Sequence, residues 1–287
     1  MRLYRYDDNR VGVVEGDVVI DVTPVTDTLP AVRWPLPIGD LLIANLDHLM
    51  PRIKELAKTG ARKPVSSVHL LSPVANPGKI MGFGQAYKAH VEEAMKDPLM
   101  SRHVPADPGV SKRMMVKANT SLVGPSEGVA LRFLDQRTDP ELEFAIVFGR
   151  KGTNVPKERA FEMVAGYAIG FDMSLRGPAP PSSRKSIDSY SVLGPWMVTS
   201  DEIPNPDDVA FTLRVNGEIR QQATTRDLIF SIATQIEHAA SFYTLYPGDI
   251  LMTGTPEGVA QVRPGDVMEA EMAGIGKMTV KVRAHVA

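Results

Sequence analysis

The stretch TDPELEFAIVFGR, residues 138–150, decides the fold and carries the most informative chemistry of the chain. Its second half is a continuous apolar run, which predicts a buried β-strand. Side chains two residues apart share one face of a strand, so Glu141 and Glu143 point the same way, with Asp139 at the start of that face. Two carboxylates that lead into a buried strand repel each other and lose solvation. We therefore expect a cation, most simply a divalent metal ion, to neutralise them.

This segment alone leaves an alternative open, because two glutamates at this spacing also occur on solvated strand ends or in pairs with Lys and Arg. A third acid favours the metal site. Asp172 ends a second apolar run, GYAIGFD, at residues 166–172. Two glutamates and one aspartate from two strands would form an all-oxygen site suited to Mg²⁺, Mn²⁺ or Ca²⁺.

The composition is that of a globular protein and excludes several classes of function. The 287 residues can form one large domain or two modest ones, and a net charge of −2 offers no basic surface for nucleic acid. The sequence has no apolar run of about 18 residues, and its N-terminus lacks the apolar core of a signal peptide. We therefore expect a cytoplasmic protein without a membrane partner. The absence of cysteine excludes disulfides, thiolate metal sites and a cysteine nucleophile.

Proline and glycine residues interrupt the pattern near residue 76 and predict a domain boundary there. Residues 1–76 are predicted to form a small N-terminal domain without a cluster of reactive groups. Within it we expect a hairpin across residues 11–20 and a helix across residues 38–58. Residues 77–287 are predicted to form the catalytic domain.

The predicted catalytic domain alternates short apolar runs with turns, and these strands outnumber its helices. Helices are predicted at residues 157–165 and 225–243. The pattern indicates an α+β fold with a long curled sheet. Residues 95–113 contain several prolines and little periodicity, which is typical of a functional or mobile loop such as a lid.

Most of residues 79–283 resembles the fumarylacetoacetate hydrolase family, in order along the chain. No single motif is decisive, but eight or more occur in register. The motifs are QAYKAHVEE (85–93), Lys117 with SLVGP (121–125), ELEFAIVFG (141–149), GYAIGFDMSLR (166–176), RKSID (184–188), LGPW (193–196), VNG (215–217), GDILMTGTPEGV (248–259) and PGD (264–266).

The resemblance implies a fold and a metal centre. It implies a mixed β-roll core domain with a smaller N-terminal domain, assembled as a homodimer. It also implies that Glu141, Glu143 and Asp172 are the metal ligands, which agrees with the interpretation drawn from the residues themselves. The implied cofactor is Mg²⁺, with Mn²⁺ or Ca²⁺ as alternatives.

The resemblance implies three catalytic residues. His90 and Glu93 match the family's His/Glu pair on a segment that orders over the substrate, and their spacing lets them touch across one helical turn. Glu92 remains an alternative partner for His90. Lys185 matches a lysine near the metal, where a fixed cation stabilises a developing oxyanion. Without the resemblance, the sequence would indicate a surface histidine at position 90 and a solvated lysine at position 185.

The resemblance also implies three substrate-binding residues, Tyr87, Arg176 and Thr255. Arg176 would bind a carboxylate through both guanidinium nitrogens, and the alternative is a structural partner of a nearby acid. Thr255 lies in a turn, and a purely structural turn is the alternative there. The chain departs from the family pattern at four positions that bear on the pocket wall and hence on the substrate: Ala86, Phe171, Gly177 and Ala179.

Taken together, these observations predict a metal-dependent hydrolase that cleaves a C–C bond in a small acylpyruvate or 1,3-dicarbonyl oxo-acid, with a role in the catabolism of aromatic or other carboxylic compounds. Decarboxylation or tautomerisation of an oxo-diacid, such as oxaloacetate or 2-hydroxyhepta-2,4-diene-1,7-dioate, is the alternative at the same site. A non-catalytic protein that binds its ligand through the metal is the alternative from another class.

Overall fold

The computed structural model describes residues 1–101, 104 and 112–286. Of the predicted lid at residues 95–113, residues 102, 103 and 105–111 lie outside this described part. Residues Lys88–Lys96 form an α-helix and Arg113–Lys117 a strand, so both ends of the predicted loop belong to regular elements.

The described residues form nineteen strands and five α-helices. The strands are β1 (Arg2–Tyr6), β2 (Arg10–Glu15), β3 (Val18–Asp21), β4 (Arg62–Pro64), β5 (Leu70–Leu71), β6 (Ile80–Gly84), β7 (Arg113–Lys117), β8 (Leu122–Val123), β9 (Val129–Leu131), β10 (Thr138–Asp139), β11 (Leu142–Phe148), β12 (Val164–Asp172), β13 (Ser174–Leu175), β14 (Ser191–Thr199), β15 (Ala210–Val215), β16 (Glu218–Thr224), β17 (Ile250–Met252), β18 (Val267–Met272) and β19 (Gly276–Ala284). The α-helices are α1 (Leu41–Ala44), α2 (Leu46–Thr59), α3 (Lys88–Lys96), α4 (Pro181–Lys185) and α5 (Ile232–Phe242).

Two large sheets and a short ribbon contain these strands. The first sheet has twelve strands in the order β4-β3-β2-β1-β14-β12-β11-β17-β6-β7, with β5 paired to β1 and β8 paired to β14. The second sheet has the order β16-β15-β18-β19-β9, and β10 pairs with β13 alone. Because parallel and antiparallel pairs both occur and the helices are few, the predicted α+β class is confirmed.

Strand β11 lies inside the first sheet and is buried along its whole length. Phe144 and Ile146 pack in the core between the two sheets, whereas Ala145 and Val147 pack on the opposite side, beneath helix α2. The predicted alternation of this strand is therefore confirmed. Glu143 is on the same face of β11 as Ala145 and lies near the N-terminal end of the strand.

The N-terminal segment extends the first sheet. The predicted hairpin is confirmed by the pairing of β2 with β3, and helices α1 and α2 occupy most of the predicted helix at residues 38–58. Strand β1 pairs with β14 of the segment assigned to the catalytic domain. The boundary near residue 76 stays a prediction, and the hydrogen bonding of the sheet continues across it.

Two predicted helices are shorter than expected. Residues Lys157–Met163 form a 3₁₀-helix, because Val164 already pairs with Phe148 and the chain is part of β12 from there on. In the second case the α-helix begins only at Ile232, where the Ser231 hydroxyl caps it, and the preceding Thr225–Asp227 is a separate 3₁₀ turn. Within the described residues, none of the helices has the length and apolar character needed to cross a bilayer.

Asp40 joins the start of α1 to the chain near the predicted boundary. Its Oδ1 accepts the N–H groups of Leu42 and Ile43, and its Oδ2 accepts those of Ala75 and Asn76. The side chain is buried, so these donors would lose their partners without it. Replacing Asp40 by alanine is therefore expected to lower the free energy of unfolding by about 3 kcal/mol.

Urea denaturation of the metal-free protein measures this loss. Asp47→Ala, at an exposed position in the first turn of α2, is the matched control and should change stability by less than about 0.5 kcal/mol. Equal stability of the Asp40→Ala variant and the wild type would contradict the assignment of Asp40 as a structural connector.

Candidate metal and catalytic site

Three buried carboxylates meet where β11 begins and β12 ends. The two strands are antiparallel with Leu142 opposite Phe171, and the N–H of Asp172 donates to the Glu141 carbonyl at 2.9 Å. This register places Asp172 beside Glu141 and Glu143, since all three side chains point to one face. One ligand oxygen from each lies within 4.8 Å of the others.

Two lysines neutralise part of this negative charge. Lys185, at the end of α4, places its Nζ 2.6 Å from Glu141 Oε2 and 2.5 Å from Asp172 Oδ2. Lys117, at the end of β7, donates to Asp172 Oδ1 at 2.5 Å and to the Tyr190 carbonyl at 2.8 Å. Burial alone would lower the pKa of Lys185, but the nearby Asp172 and Glu141 outweigh this effect, so the pKa is raised. Burial lowers the pKa of Lys117 even though Asp172 opposes the shift.

A chain of ion pairs continues from the carboxylates to the end of helix α3. Arg176 places its Nη2 2.8 Å from Glu141 Oε1 and donates through Nε to Asp139 Oδ2 at 2.7 Å. Arg137 then contacts Asp139 at 2.8 Å and Asp97 at 2.6 Å. Asp97 is the C-cap residue that directly follows α3. Arg176 is therefore a partner of two acids, and its predicted contact with a substrate carboxylate stays a prediction.

Glu143 differs from the other two carboxylates because, among the described residues, its hydrogen-bond donor is a backbone amide and not a side-chain cation. The N–H of Gly254 donates to its Oε2 at 2.5 Å. Burial and the neighbouring Asp172 and Glu141 raise the pKa of Glu143 well above its ordinary value. By contrast, the pKa of Glu141 lies below its usual range. Burial alone would raise this pKa, but the neighbouring Lys185 and Arg176 lower it more strongly. Lys185 opposes the upward shift of the Glu143 pKa only from beyond ion-pair distance, so Glu143 has no cation in direct contact among the described residues.

The donor set fits a divalent metal ion. Three carboxylate oxygens within 4.8 Å of one another can share a centre at the 2.0 to 2.6 Å distances that Mg²⁺ and Ca²⁺ prefer. A cation at that centre would compensate Glu143, which no side-chain cation contacts among the described residues. Since Lys185 already bridges Glu141 and Asp172, the ion and this ammonium would share the same carboxylates.

His90 and Glu93 form the predicted pair on helix α3. His90 is buried, and its Nδ1 lies 2.9 Å from Glu93 Oε2. The other oxygen of Glu93 accepts the N–H of Gly258 at 2.9 Å, which fixes the carboxylate. Glu92 is exposed, so the geometry selects Glu93 as the partner. Because a carboxylate can only accept, Nδ1 carries the proton and Nε2 is left as the basic nitrogen.

His90, Glu141, Arg176 and Lys185 are among the residues that line a cavity of about 470 Å³, whereas Glu143, Asp172 and Glu93 are not among its described lining residues. Tyr87 and Thr255 are buried, but neither is among the described residues that line this cavity. The Thr255 hydroxyl donates to the Leu142 carbonyl at 3.0 Å and accepts from Gln221 at 2.8 Å, so it is engaged within the protein. Substrate binding by Tyr87 and Thr255 stays a prediction.

Several residues of the site were not assigned a role from the sequence. Gly254 and Gly258 have positive φ angles of 101° and 97°, conformations that suit glycine, and direct their N–H groups at Glu143 and Glu93. The signal for them was the glycine spacing in TGTPEG. For Lys117 the signal was a lysine that directly ends an apolar run, because a buried lysine needs an acidic partner.

The chain matches known proteins over its whole length. The family model described as "Fumarylacetoacetate (FAA) hydrolase C-terminal" matches residues 79–283. A maleylpyruvate hydrolase from Aquipseudomonas alcaligenes is 49% identical over 286 residues, covering 99% of this chain and 100% of that protein. A mitochondrial oxaloacetate tautomerase from Rattus norvegicus is 33% identical over 231 residues, covering 76% of this chain and 71% of that one.

Solved structures extend the likeness to the fold. A maleylpyruvate hydrolase from Sphingobium sp. SYK-6, determined in complex with manganese(II) and pyruvate, is 33% identical. It superimposes with a TM-score of 0.84 and covers 100% of both chains. This likeness confirms the predicted fold, with its mixed β-roll core and additional N-terminal segment.

Proposed function

The chain belongs to the fumarylacetoacetate hydrolase family and is a metal-dependent hydrolase, and from this premise we propose that it cleaves acylpyruvates of the maleylpyruvate type. The reaction adds water across a C–C bond and gives maleate and pyruvate. The proposal is carried by one observation: the three carboxylates converge beside a cavity that Glu141, His90 and Lys185 line, and Glu93 pairs with His90 there. The 49% identity to a maleylpyruvate hydrolase supports this substrate.

His90 is proposed as the general base. Its Nε2 takes a proton from water while the water oxygen bonds to the acyl carbonyl carbon, C4 of the substrate. The C3–C4 bond then breaks, its electron pair passes into the enolate of pyruvate, and the acyl part leaves as a carboxylic acid. Protonated His90 returns the proton to C3, so no other reactant is needed. Glu93 keeps the imidazole oriented throughout.

Glu141, Glu143 and Asp172 are proposed to hold the metal, for which Mg²⁺ and Mn²⁺ are the first candidates and Ca²⁺ a third. A divalent ion there would supply a Lewis acid for the oxygens of the 2-oxo acid. Lys185 adds a fixed positive charge beside two of the ligands, which stabilises the enolate oxygen as its charge develops. The manganese and pyruvate bound to the Sphingobium enzyme support this arrangement.

Four further features stand as proposals: aromatic catabolism, a cytoplasmic location, a homodimeric assembly, and the division into domains at residues 1–76 and 77–287. The first follows from the proposed substrate, since maleylpyruvate is an acyl oxo-acid of the kind produced when an aromatic ring is opened. The other three follow from the sequence and from the family resemblance.

Tautomerisation of an oxo-diacid is the second candidate, because an oxaloacetate tautomerase is 33% identical to this chain. It needs the same His90 to move a proton between carbon and solvent, but no water is added and no C–C bond breaks.

A substrate panel in H₂¹⁸O, with chelated and Mn²⁺-reloaded protein, separates the two candidates. We expect the reloaded protein to convert maleylpyruvate into two acids, with one ¹⁸O in the new carboxylate, and the chelated protein to lose at least about 99% of this activity. Oxaloacetate should be converted far more slowly. Rapid enol–keto exchange of oxaloacetate without cleavage of maleylpyruvate would support the tautomerase and overturn the proposal.

A further inference from the structure

Arg184 is a buried cation on the wall of the same cavity. It lies in the last turn of α4, directly before Lys185, and only 7% of its surface is exposed. Its Nη1 reaches the Leu175 carbonyl at a long 3.4 Å, and its Nε has no hydrogen-bond partner. Among the described residues it forms no ion pair with a carboxylate. Glu141, Asp172 and Asp139 act on its charge only from beyond ion-pair distance, so within the described part of the chain its guanidinium is buried without the direct carboxylate partner that such a group normally has.

The neighbouring cations of the cavity are in a different situation. Lys185 bridges Glu141 and Asp172, and Arg176 contacts Glu141 and Asp139, so each of these two cations already has two carboxylate partners. Arg184 therefore has spare binding capacity where it lines the cavity. A guanidinium presents parallel N–H donors that match the two oxygens of a carboxylate.

The position of Arg184 relative to the carboxylate cluster determines which carboxylate it would bind. The oxygens of Glu141, Glu143 and Asp172 are proposed to bind the metal, and with it the 2-oxo-acid end of the substrate. Among the described residues, the ion pairs of Glu141 and Asp172 are with Lys185, Arg176 and Lys117, and these two acids act on Arg184 only from beyond ion-pair distance. A substrate with a second carboxylate at its far end would therefore place that group at the open guanidinium.

We infer that Arg184 is a specificity-determining residue that binds the distal carboxylate of a linear dicarboxylic 2-oxo acid. This inference rests on the proposed function for the placement of the 2-oxo-acid end, and it deepens that function by restricting the substrate class. Acylpyruvates that end in a carboxylate, such as maleylpyruvate, are then preferred over those that end in a methyl group. The cavity volume of about 470 Å³ is within the usual range for small-molecule sites.

Two non-cleavable ligands of equal chain length test the inference by binding alone. The protein loaded with Mn²⁺ is titrated calorimetrically with 2-oxoheptanedioate and with 2-oxoheptanoate, which differ only in the distal carboxylate. We expect the wild type to bind the diacid at least about tenfold more tightly, as a charge-assisted bidentate contact provides. In Arg184→Met and Arg184→Gln the two affinities should agree within about twofold.

Arg113→Met is the matched control, because Arg113 is another arginine that lines the cavity, and this variant should keep the wild-type preference. The inference is overturned if the wild type binds both ligands equally, or if the preference persists in both Arg184 variants, or if Arg113→Met abolishes it. Equal weakening of both ligands in the Arg184 variants would assign a structural role and also overturn it. Neither ligand has a carbonyl at C4, so the result does not depend on the hydrolase reaction.

Discussion

Replacing Glu143 by glutamine is expected to remove metal binding and turnover together while leaving the metal-free protein at least as stable as the wild type. Glutamine has the same shape and still accepts the Gly254 N–H, but it has no charge. Loss of one of three charged ligands should weaken Mn²⁺ binding by roughly 100-fold or more, since changes to residues around a metal site already cost 10- to 100-fold. We expect kcat to fall by about 1000-fold.

Glu143→Gln should not destabilise the metal-free protein, whereas loss of one partner of a structural ion pair would. Glu143 is buried beside two other carboxylates, and no side-chain cation contacts it among the described residues. Burial and the two neighbouring carboxylates disfavour the charged form of Glu143, so a neutral amide there should leave the free energy of unfolding unchanged or raise it by up to about 1 kcal/mol.

Glu141→Gln is the matched comparison within the same site. Both oxygens of Glu141 face cations, Lys185 and Arg176, which would be left buried with less compensation. We expect this variant also to lose metal affinity, but to destabilise the metal-free protein by roughly 3 kcal/mol. Metal affinity is measured by calorimetry and stability by urea denaturation after chelation. Equal destabilisation by the two variants, or retained Mn²⁺ affinity in Glu143→Gln, would be incompatible with the proposed centre.

The acidic centre could be predicted because its geometry is local. Alternation along one strand puts Glu141 and Glu143 on one face, and an acid at the end of a neighbouring apolar run is the natural third member of the cluster. The antiparallel register of β11 and β12 places Asp172 beside them, as that pattern requires.

The compensating cations and backbone donors could not be predicted in the same way. The contact between Gly254 and Glu143 joins positions 111 residues apart, and that between Gly258 and Glu93 joins positions 165 apart. No periodicity encodes such pairs, since they depend on how β17 and α3 are placed after folding. The 3₁₀ segment before Val164 has the same cause, because sheet pairing overrides a weak helical preference.

The lack of a direct carboxylate partner at Arg184 in the described part of the chain could not be predicted from the sequence either. In the sequence it is one basic residue beside Lys185, and nothing in the spacing separates a compensated cation from an uncompensated one. Only the three-dimensional neighbours distinguish them: Lys185 has two carboxylate partners, whereas Arg184 has none among the described residues. Substrate specificity is therefore inferred from unmatched charge in the folded protein.

Replacing His90 by glutamine is expected to lower kcat by about 1000-fold while leaving Mn²⁺ affinity within about twofold of the wild type. General-base catalysis by a positioned side chain contributes roughly 100- to 10,000-fold, and glutamine cannot accept the proton from water. The metal affinity should persist because, within the described part of the chain, His90 bonds to Glu93 and not to any of the three carboxylates. A lowered kcat with retained Mn²⁺ affinity would indicate a role in proton transfer. Glu143→Gln, in contrast, is expected to lower both quantities, as a metal ligand should.

Glu93→Gln is expected to have a smaller effect, with kcat reduced by about 10- to 100-fold and KM little changed. Glu93 uses one oxygen for His90 Nδ1 and the other for the Gly258 N–H, and a glutamine amide can accept at only one of these positions. The imidazole would then lose either its orientation or the anchoring of its partner. Steady-state kinetics with maleylpyruvate measure both constants.

Glu92→Gln is the control for Glu93→Gln, because it makes the same chemical change at the adjacent, exposed position of α3. Its kcat should remain within about twofold of the wild type, since the hydrogen bond to His90 comes from Glu93. A loss of the same size in both variants would mean that charge near the helix, rather than the oriented imidazole, supports turnover. Unchanged kcat in His90→Gln would remove the general base from the proposed mechanism, and a water activated by other means would then be required.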